Sequence, residues 1–322
     1  MNSQQTIPLR DTSFREQAEA ITNSMRRVLS GKDEVTEQAL IVLLAEGHLL
    51  VEDVPGVGKT MLAKALARSV DCSVHRIQFT PDLLPSDVTG VSVFSPKTQE
   101  FSFHPGPIFA NIIIADEINR ANAKTQSALL ESMEEHQVTV DSVTHDLQRP
   151  FMVVATQNPI DSEGTFALPE AQRDRFMARI SMGYPQRGDE IAMIANRHLH
   201  EPVDDVSPVI DREQLRTMIH QVANVTVTEQ LGAYVVDLGR GTREHPSVRL
   251  GASPRALLQL VRAAKAHAAL RGRDYAIPED VRAVSALVLP HRLILTRNAV
   301  ADGQEPQQIV TALLQNTDVN QG

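Results

Sequence analysis

Cysteine is nearly missing from this chain: Cys72 stands alone among 322 residues. No internal disulfide can form, and a reducing, cytoplasmic compartment is the expectation. Long apolar runs are missing too. Ala39 to Ala45 stops at Glu46 and Ile112 to Ala115 stops at Asp116, well short of the roughly 18 residues that a membrane-spanning helix needs. The opening MNSQQTIPLR is polar and has no apolar stretch of the secretory-leader kind. Basic charge is in deficit, with 31 Lys and Arg against 40 Asp and Glu and a formal net charge of −9. That balance disfavours broad adhesion to a polyanion, so nucleic acid is not the expected partner, although a local basic groove survives such an average. No Gly-x-Ser-x-Gly elbow occurs, which removes the usual strand-turn-helix serine nucleophile. His198 and His200 lie in a polar, proline-flanked segment without a partner set, so they are not read as metal ligands. Cys72 is read as a packed small side chain rather than a reactive thiol.

What is present suits about two domains: 42% of the residues are hydrophobic, enough for a sizeable core. Asp11, Thr12 and Ser13 offer caps for a helix running to Ser30, and a second helix is expected from Val35 to Glu46. The apolar run His48 to Glu52 then enters a glycine-rich turn that opens a helix through Ser69. Further strand-like runs are Val74 to Phe79, Asn111 to Ala115, Phe151 to Thr156 and Ala178 to Met182, and their alternation with helical stretches predicts a parallel α/β sheet. Two intervals carry strand pairs of their own: Val91 and Val93 with Phe101 and Phe103, and Val138 and Val140 with Val143 and Leu147 around Asp141-Ser142. After Tyr184-Pro185 the pattern turns helical, with helices expected over Gly188 to His198, Arg212 to Val222, Thr228 to Leu238, Pro254 to Leu270, Pro278 to Leu289 and Gln307 to Gln315. The expected division is 1–185 and 186–322, with Leu199 to Pro208 as a linker inside the second part.

The strongest chemical signal is the stretch Pro55, Gly56, Val57, Gly58, Lys59, Thr60 and Met61. Glycines let successive backbone N–H groups face phosphates, Lys59 reaches the β and γ oxygens, and Thr60 can hold Mg²⁺ at a helix N-terminus. The full pattern has its first glycine at position 53, where Asp53 stands. A second element, Ile112-Ile113-Ile114-Ala115-Asp116-Glu117, ends a buried strand in two acids, at the end of the sheet where ligands bind. Asp116 suits Mg²⁺, directly or through water, and Glu117 suits the polarising of a water for attack on a γ-phosphate. Thr156-Gln157-Asn158-Pro159 repeats the logic on another strand, with Asn158 as the amide that orients water and senses the γ-phosphate. The Leu129, Leu130 and Met133 spacing reads as a helix's core face, with Glu131, Glu134 and Glu135 as its solvated side.

In their order along the chain, Gly58-Lys59-Thr60, Asp116-Glu117, Asn158, Asp174-Arg175-Phe176 and Ser253-Pro254-Arg255 resemble an AAA+ ATPase of the MoxR branch. RIQFTPDLLPSDVTG from Arg76, Gly106-Pro107-Ile108-Phe109, ADEINRANAKTQSALLESMEE from Ala115 and GASPRA from Gly251 extend the likeness over nearly the whole chain. The resemblance implies a doubly wound P-loop core with strand order 5-1-4-3-2, a C-terminal all-helical lid, and a homo-oligomeric ring, a hexamer, with ATP between subunits. It assigns the two extra hairpins to a helix-2 insert and a pre-sensor-1 insert. Arg175 matches the arginine finger given to a neighbouring subunit, with Arg173 as an alternative. Arg255 matches sensor 2, which ties γ-phosphate contact to lid angle. The implied activity is Mg²⁺-dependent ATP hydrolysis used to remodel a protein client, in complex maturation or metal-cofactor insertion, with a von Willebrand factor A domain protein as partner. Rival readings are a nucleic-acid motor or loader, a small-molecule kinase, and a nucleotide-gated scaffold in which Asp53 impairs turnover.

Overall fold

The computed structural model describes residues 12–29, 31–158, 166–188, 190–191 and 202–317. Asp11, Ser30, Pro159, the His198 and His200 pair, and most of the helix expected from Gly188 to His198 lie outside the described residues. Of the expected linker, Pro202–Asp205 form a 3-10 turn.

Five strands build the central sheet: β1 Leu49–Glu52, β2 Val74–Gln78, β3 Ile112–Asp116, β4 Met152–Gln157 and β5 Ala178–Ile180. Every pairing is parallel and the spatial order is β5-β1-β4-β3-β2, the order that the resemblance implies. The physical cause is legible in β3 and β4, which read as unbroken apolar runs because both faces of a parallel sheet are covered. Alternation then divides the side chains. Leu49, Val51, Ile112, Ile114 and Val154 join one core, and Leu50, Ile113, Ala115, Val153 and Ala155 join the other.

On the first face pack α1 Thr12–Arg26, α2 Asp33–Leu44 and α3 Lys59–Ser69, through side chains such as Ile21, Leu40 and Leu66. Leu129, Leu130 and Met133 of α4 Ala123–Glu135 cover the second face. Asn122 caps α4 by accepting from the N–H groups of Lys124 and Thr125.

The two hairpins expected from sequence are present as antiparallel pairs, Gly90–Ser95 with Glu100–Pro105 and Gln137–Val140 with Val143–Asp146. Asp141 and Ser142 both take positive φ, 49° and 66°, the geometry of a tight hairpin turn. The Phe103 and His145 rings stack 4.1 Å apart and join the hairpins. At the base of the first, an ideal Cβ on Gly106 would meet Gly90 N and Val88 O at 2.4 Å, so only glycine fits there.

The second part of the chain contains α5 Arg212–Ala223, α6 Glu229–Glu244, α7 Pro254–Leu270, α8 Pro278–Val288 and α9 Pro306–Asn316. It is helical, with one addition: Val248–Leu250 pairs antiparallel with Ile294–Leu295. Ile210–Asp211 also pairs with Val70–Asp71 of the first part. These two-residue and three-residue strands are too short to show a period in sequence. Thr228 is the N-cap of α6 rather than its first residue, and the helix continues six residues past the expected Leu238, to Glu244.

Arg292 fastens the two parts. Its guanidinium is almost wholly buried and donates to Asp174 Oδ1 at 2.9 Å, to the carbonyls of Asp174, Phe176, Met177 and Val288, and to Gln259 Oε1. Burial lowers it to about 10 against the opposing pull of Asp174, so it stays charged at neutral pH.

Candidate nucleotide site and a separate arginine pair

β1 delivers the chain into the glycine turn at the carboxyl ends of the strands, and α3 leaves from it. Gly56 and Gly58 take φ of 86° and 93°, a left-handed conformation that costs glycine nothing and other residues strain. An added Cβ on Gly56 would meet nothing within 4 Å, so that side of the loop is open. The turn lines a cavity of about 390 Å³ together with Lys64, Arg76, Gln78, Asp116, Glu117, Thr156 and Asn158. Val57 is the exception among the expected binding residues: its side chain is buried in the core, leaving only its backbone to the loop.

Lys59 is buried, and its Nζ donates to Asp53 O at 2.5 Å, Gln157 O at 3.1 Å and Asn158 Oδ1. Asn158, expected as the sensing amide, therefore meets Lys59 directly. Asp116 sits between one cation, Arg76, and two hydroxyls. Its Oδ1 accepts from Thr60 Oγ1 and Thr156 Oγ1, both at 3.1 Å, and its Oδ2 accepts from Arg76 Nε at 2.6 Å. Glu117 is held left-handed at φ 55°, with its N–H on Thr156 Oγ1 at 2.9 Å. Its Oε2 accepts from Gln78 Nε2 at 3.0 Å and from Arg120 Nε at 3.2 Å. Sequence reasoning missed Arg76, Gln78, Lys64 and Thr156. Arg76 and Gln78 stand in the RIQFTPDLLPSDVTG stretch that carries part of the resemblance, but their place beside Asp116 and Glu117 comes from the pairing of β2 with β3.

The donor set fits a magnesium triphosphate. No group of three or more His, Cys, Asp or Glu side chains among the described residues could hold a metal ion. Mg²⁺ does not need one, because it keeps several waters and takes one or two protein oxygens plus phosphate oxygens. The Thr60 hydroxyl and an Asp116 carboxylate oxygen 3.1 Å apart supply that much.

Asp53, where the usual pattern has glycine, turns away from this cavity. Oδ1 accepts from Val54 N, and Oδ2 accepts from Ser181 Oγ and Gly183 N, each at 2.7 Å. Burial raises the carboxyl's pKa, but the hydrogen bonds from Ser181, Gly183 and Val54 outweigh it, and the net shift is downward. Cys72 is half-buried, and burial pushes its thiol up to about 11, which disfavours the thiolate at neutral pH.

The two remaining expected site residues are not in the cavity. Arg175 precedes β5, whose approach pairs Met177 N with His48 O at the start of β1; this is the amino end of the sheet, opposite the glycine turn. Arg255 lies in the first turn of α7 and meets it there, because both guanidiniums reach Glu134 at the end of α4. Arg255, matched by resemblance to the residue that ties γ-phosphate contact to lid angle, therefore lies away from the glycine turn of its own chain: the start of α7 docks against the far end of the sheet. Arg173 does not join this pair. Its Nε is buried without a hydrogen-bond partner among the described residues, in a cavity with Asp174, Ser253 and Arg292. Glu134, read from sequence as part of a solvated face, is a residue that sequence reasoning missed.

Residues 48–178 match the ATPase family associated with various cellular activities (AAA), and residues 240–313 match the AAA lid domain. The chain is 49% identical over 290 residues to the YeaC protein of Bacillus subtilis (strain 168), covering 90% of this chain and 91% of that one. It is 42% identical over 306 residues to Chaperone MoxR1 of Mycobacterium tuberculosis (strain ATCC 25618 / H37Rv), covering 92% and 81%. The crystal structure of a candidate ATPase from Cytophaga hutchinsonii ATCC 33406 aligns with a TM-score of 0.87 and 38% identity over 96% of both chains. On these matches the chain belongs to the MoxR family of AAA+ ATPases.

Proposed function

We propose that this chain is a Mg²⁺-dependent ATP hydrolase that works as a homo-oligomeric ring, a hexamer, and that each nucleotide site is completed by Arg175 and Arg255 of the next subunit. The observation that carries the reading is the separation of parts. Lys59, Thr60, Asp116, Glu117 and Asn158 converge at one end of the sheet, whereas Arg175 and Arg255 converge at the other. A monomer therefore holds a cradle without the guanidiniums, and guanidiniums without a cradle.

In this reading the backbone from Pro55 to Met61 and Lys59 bind the triphosphate, and Thr60 and Asp116 would hold Mg²⁺, which would supply neutralisation of phosphate charge. Glu117 accepts a proton from the water that attacks the γ-phosphorus, the bond to the β-bridging oxygen breaks, and ADP and inorganic phosphate leave. Before that, Glu117 has to exchange Gln78 and Arg120 for the water. Asn158 orients the same water, and the neighbour's Arg175 offsets charge on the γ oxygens. The domain boundary is placed near Pro185, after β5 ends at Ile180, giving units 1–185 and 186–322. The reading extends to a protein client, as the name of the chaperone relative suggests, with a von Willebrand factor A domain protein as the first partner to test and complex maturation or metal-cofactor insertion as its setting. No helix among the described residues is long and apolar enough to cross a membrane.

The test is complementation between inactive variants. Arg175→Ala and Glu117→Gln proteins should each bind ATP and hydrolyse it poorly. Mixed, they should recover activity, because some interfaces then contain both intact groups. Absence of recovery at every mixing ratio would sink the shared site.

A further inference from the structure

We infer that Glu134 is a placeholder anion: its carboxylate occupies the Arg175 and Arg255 guanidiniums until the γ-phosphate of a neighbouring subunit's ATP takes its place. The inference rests on the shared-site reading above and deepens it by naming what the arginine pair does before nucleotide arrives.

The geometry is specific. One carboxylate oxygen serves each arginine, Oε2 accepting from Arg175 Nε at 3.0 Å and Oε1 from Arg255 Nη2. The two cations come from different parts of the chain, one beside β5 and one on the lid. A phosphoryl group would bind such a pair in the same way, one oxygen to each guanidinium. The trio is accessible, with side chains 28%, 35% and 35% exposed for Arg175, Glu134 and Arg255, so an incoming anion can compete. Arg262 lines the same cavity together with Glu46, bonded to the Glu46 carbonyl at 3.1 Å and 4.0 Å from its carboxylate, so its charge is largely answered by that neighbour.

Helix electrostatics make Glu134 and Arg255 unfavourable for their own helices taken singly. Glu134 is in the last turn of α4, where no basic residue is present, and Arg255 is in the first turn of α7, where no acidic residue is present. Each charge sits at the end of its own helix where the dipole disfavours it, so what offsets that cost here is their attraction to one another.

A contact that does not involve Glu134 also links the two arginine-bearing segments. Asp174, next to Arg175, accepts from the Ser253 hydroxyl at 2.9 and 3.0 Å, and Ser253 is the N-cap of α7, two residues before Arg255. Departure of Glu134 therefore frees two guanidiniums on segments that this contact still links, and the exchange of one anion for another links nucleotide in one subunit to the lid of the next.

Competition sets the sign of the test. With the negative charge removed and the side-chain volume kept, in Glu134→Gln, the arginines should engage nucleotide at lower concentration. Steady-state hydrolysis by the full chain in excess Mg²⁺ should then show half-saturation at roughly two- to tenfold less ATP, the scale of two partly exposed ion pairs. Glu134→Ala should move the same way, and the difference from the parent should shrink at high salt. A melting temperature near the parent's would accompany both. A Glu134 that merely braced the joint would, on removal, raise the ATP requirement or lower the melting temperature instead.

Arg175→Ala, run alongside over a range of protein concentrations, separates the two ideas. If Arg175→Ala is inactive and half-saturation in the Glu134 variants is unchanged or raised, the placeholder is wrong and the shared site stands. If Arg175→Ala turns over at the parent rate, independent of protein concentration, the shared site fails and the placeholder falls with it.

Discussion

Replacing Asp53 by alanine tests whether the residue standing in place of a glycine burdens the nucleotide site or braces the fold. Its carboxylate accepts three hydrogen bonds of 2.7 Å. The one from Val54 is between chain neighbours and persists in part when the chain unfolds, so it counts for little. Those from Ser181 and Gly183 close separations of 128 and 130 residues and tie the entrance of the glycine turn to the segment after β5. A hydrogen bond to a charged acceptor is worth about 1.5–3 kcal/mol when well buried. Asp53 is only half-buried, so about 1 kcal/mol each is the better figure, giving roughly 1–3 kcal/mol in all. For a chain of this size that lowers the melting temperature by about 2–6 °C.

The pH dependence has a definite sign. The carboxyl's pKa in the folded protein lies below its usual 3.8. Its contribution is present above that value and is lost as pH falls through the folded pKa. The gap between parent and Asp53→Ala melting curves should therefore be constant from neutral pH down to mild acid and close only below it. ATP affinity should stay within about twofold, since the carboxylate does not line the phosphate cavity. Equal melting temperatures would refute the bracing argument. A large rise in ATP turnover would show instead that Asp53 restrains catalysis, as the scaffold reading requires.

Two further outcomes follow from packing and burial. Gly106→Ala forces a Cβ to within 2.4 Å of the backbone at Val88 and Gly90; a loss of about 1–3 kcal/mol and faster amide exchange across Gly90–Ser95 and Glu100–Pro105 are expected, and unchanged exchange would contradict it. His48 is buried between Met133 O and Val153 N, and burial lowers its pKa from 6.5 to about 4. The unfolded chain then binds the proton more tightly, so stability should fall by roughly 3 kcal/mol as pH drops from 6.5 to 4, measured by denaturant titration, with a shallower fall in His48→Gln.

Much of the site is written locally. Gly56, Gly58, Lys59 and Thr60 occupy one turn whose shape follows from backbone freedom at two glycines, and the acids ending β3 follow directly from an apolar run that can only be a buried strand. Asn158 was legible for the same reason. Arg76 and Gln78 were not, because nothing on their own strand says that it lies beside β3, where they reach Asp116 and Glu117. Val57 was counted among the binding residues because it stands inside the motif, yet its side chain belongs to the core.

Glu134 marks the limit most clearly. Its place on α4 follows from helical periodicity, which also puts it on the face away from the core, and by that logic it is a solvated acid. The structure brings it to Arg175 and Arg255, 41 and 121 residues distant, through the docking of a lid that the Arg292 and Asp174 pair holds to the first part. The amino-acid order alone determined the parallel sheet and the phosphate turn, since these depend on periods and on backbone geometry within a few residues, whereas the order of the strands came from the family resemblance. Only the folded chain decided which charges face one another, because contact between distant segments depends on how domains pack, and no local pattern encodes that.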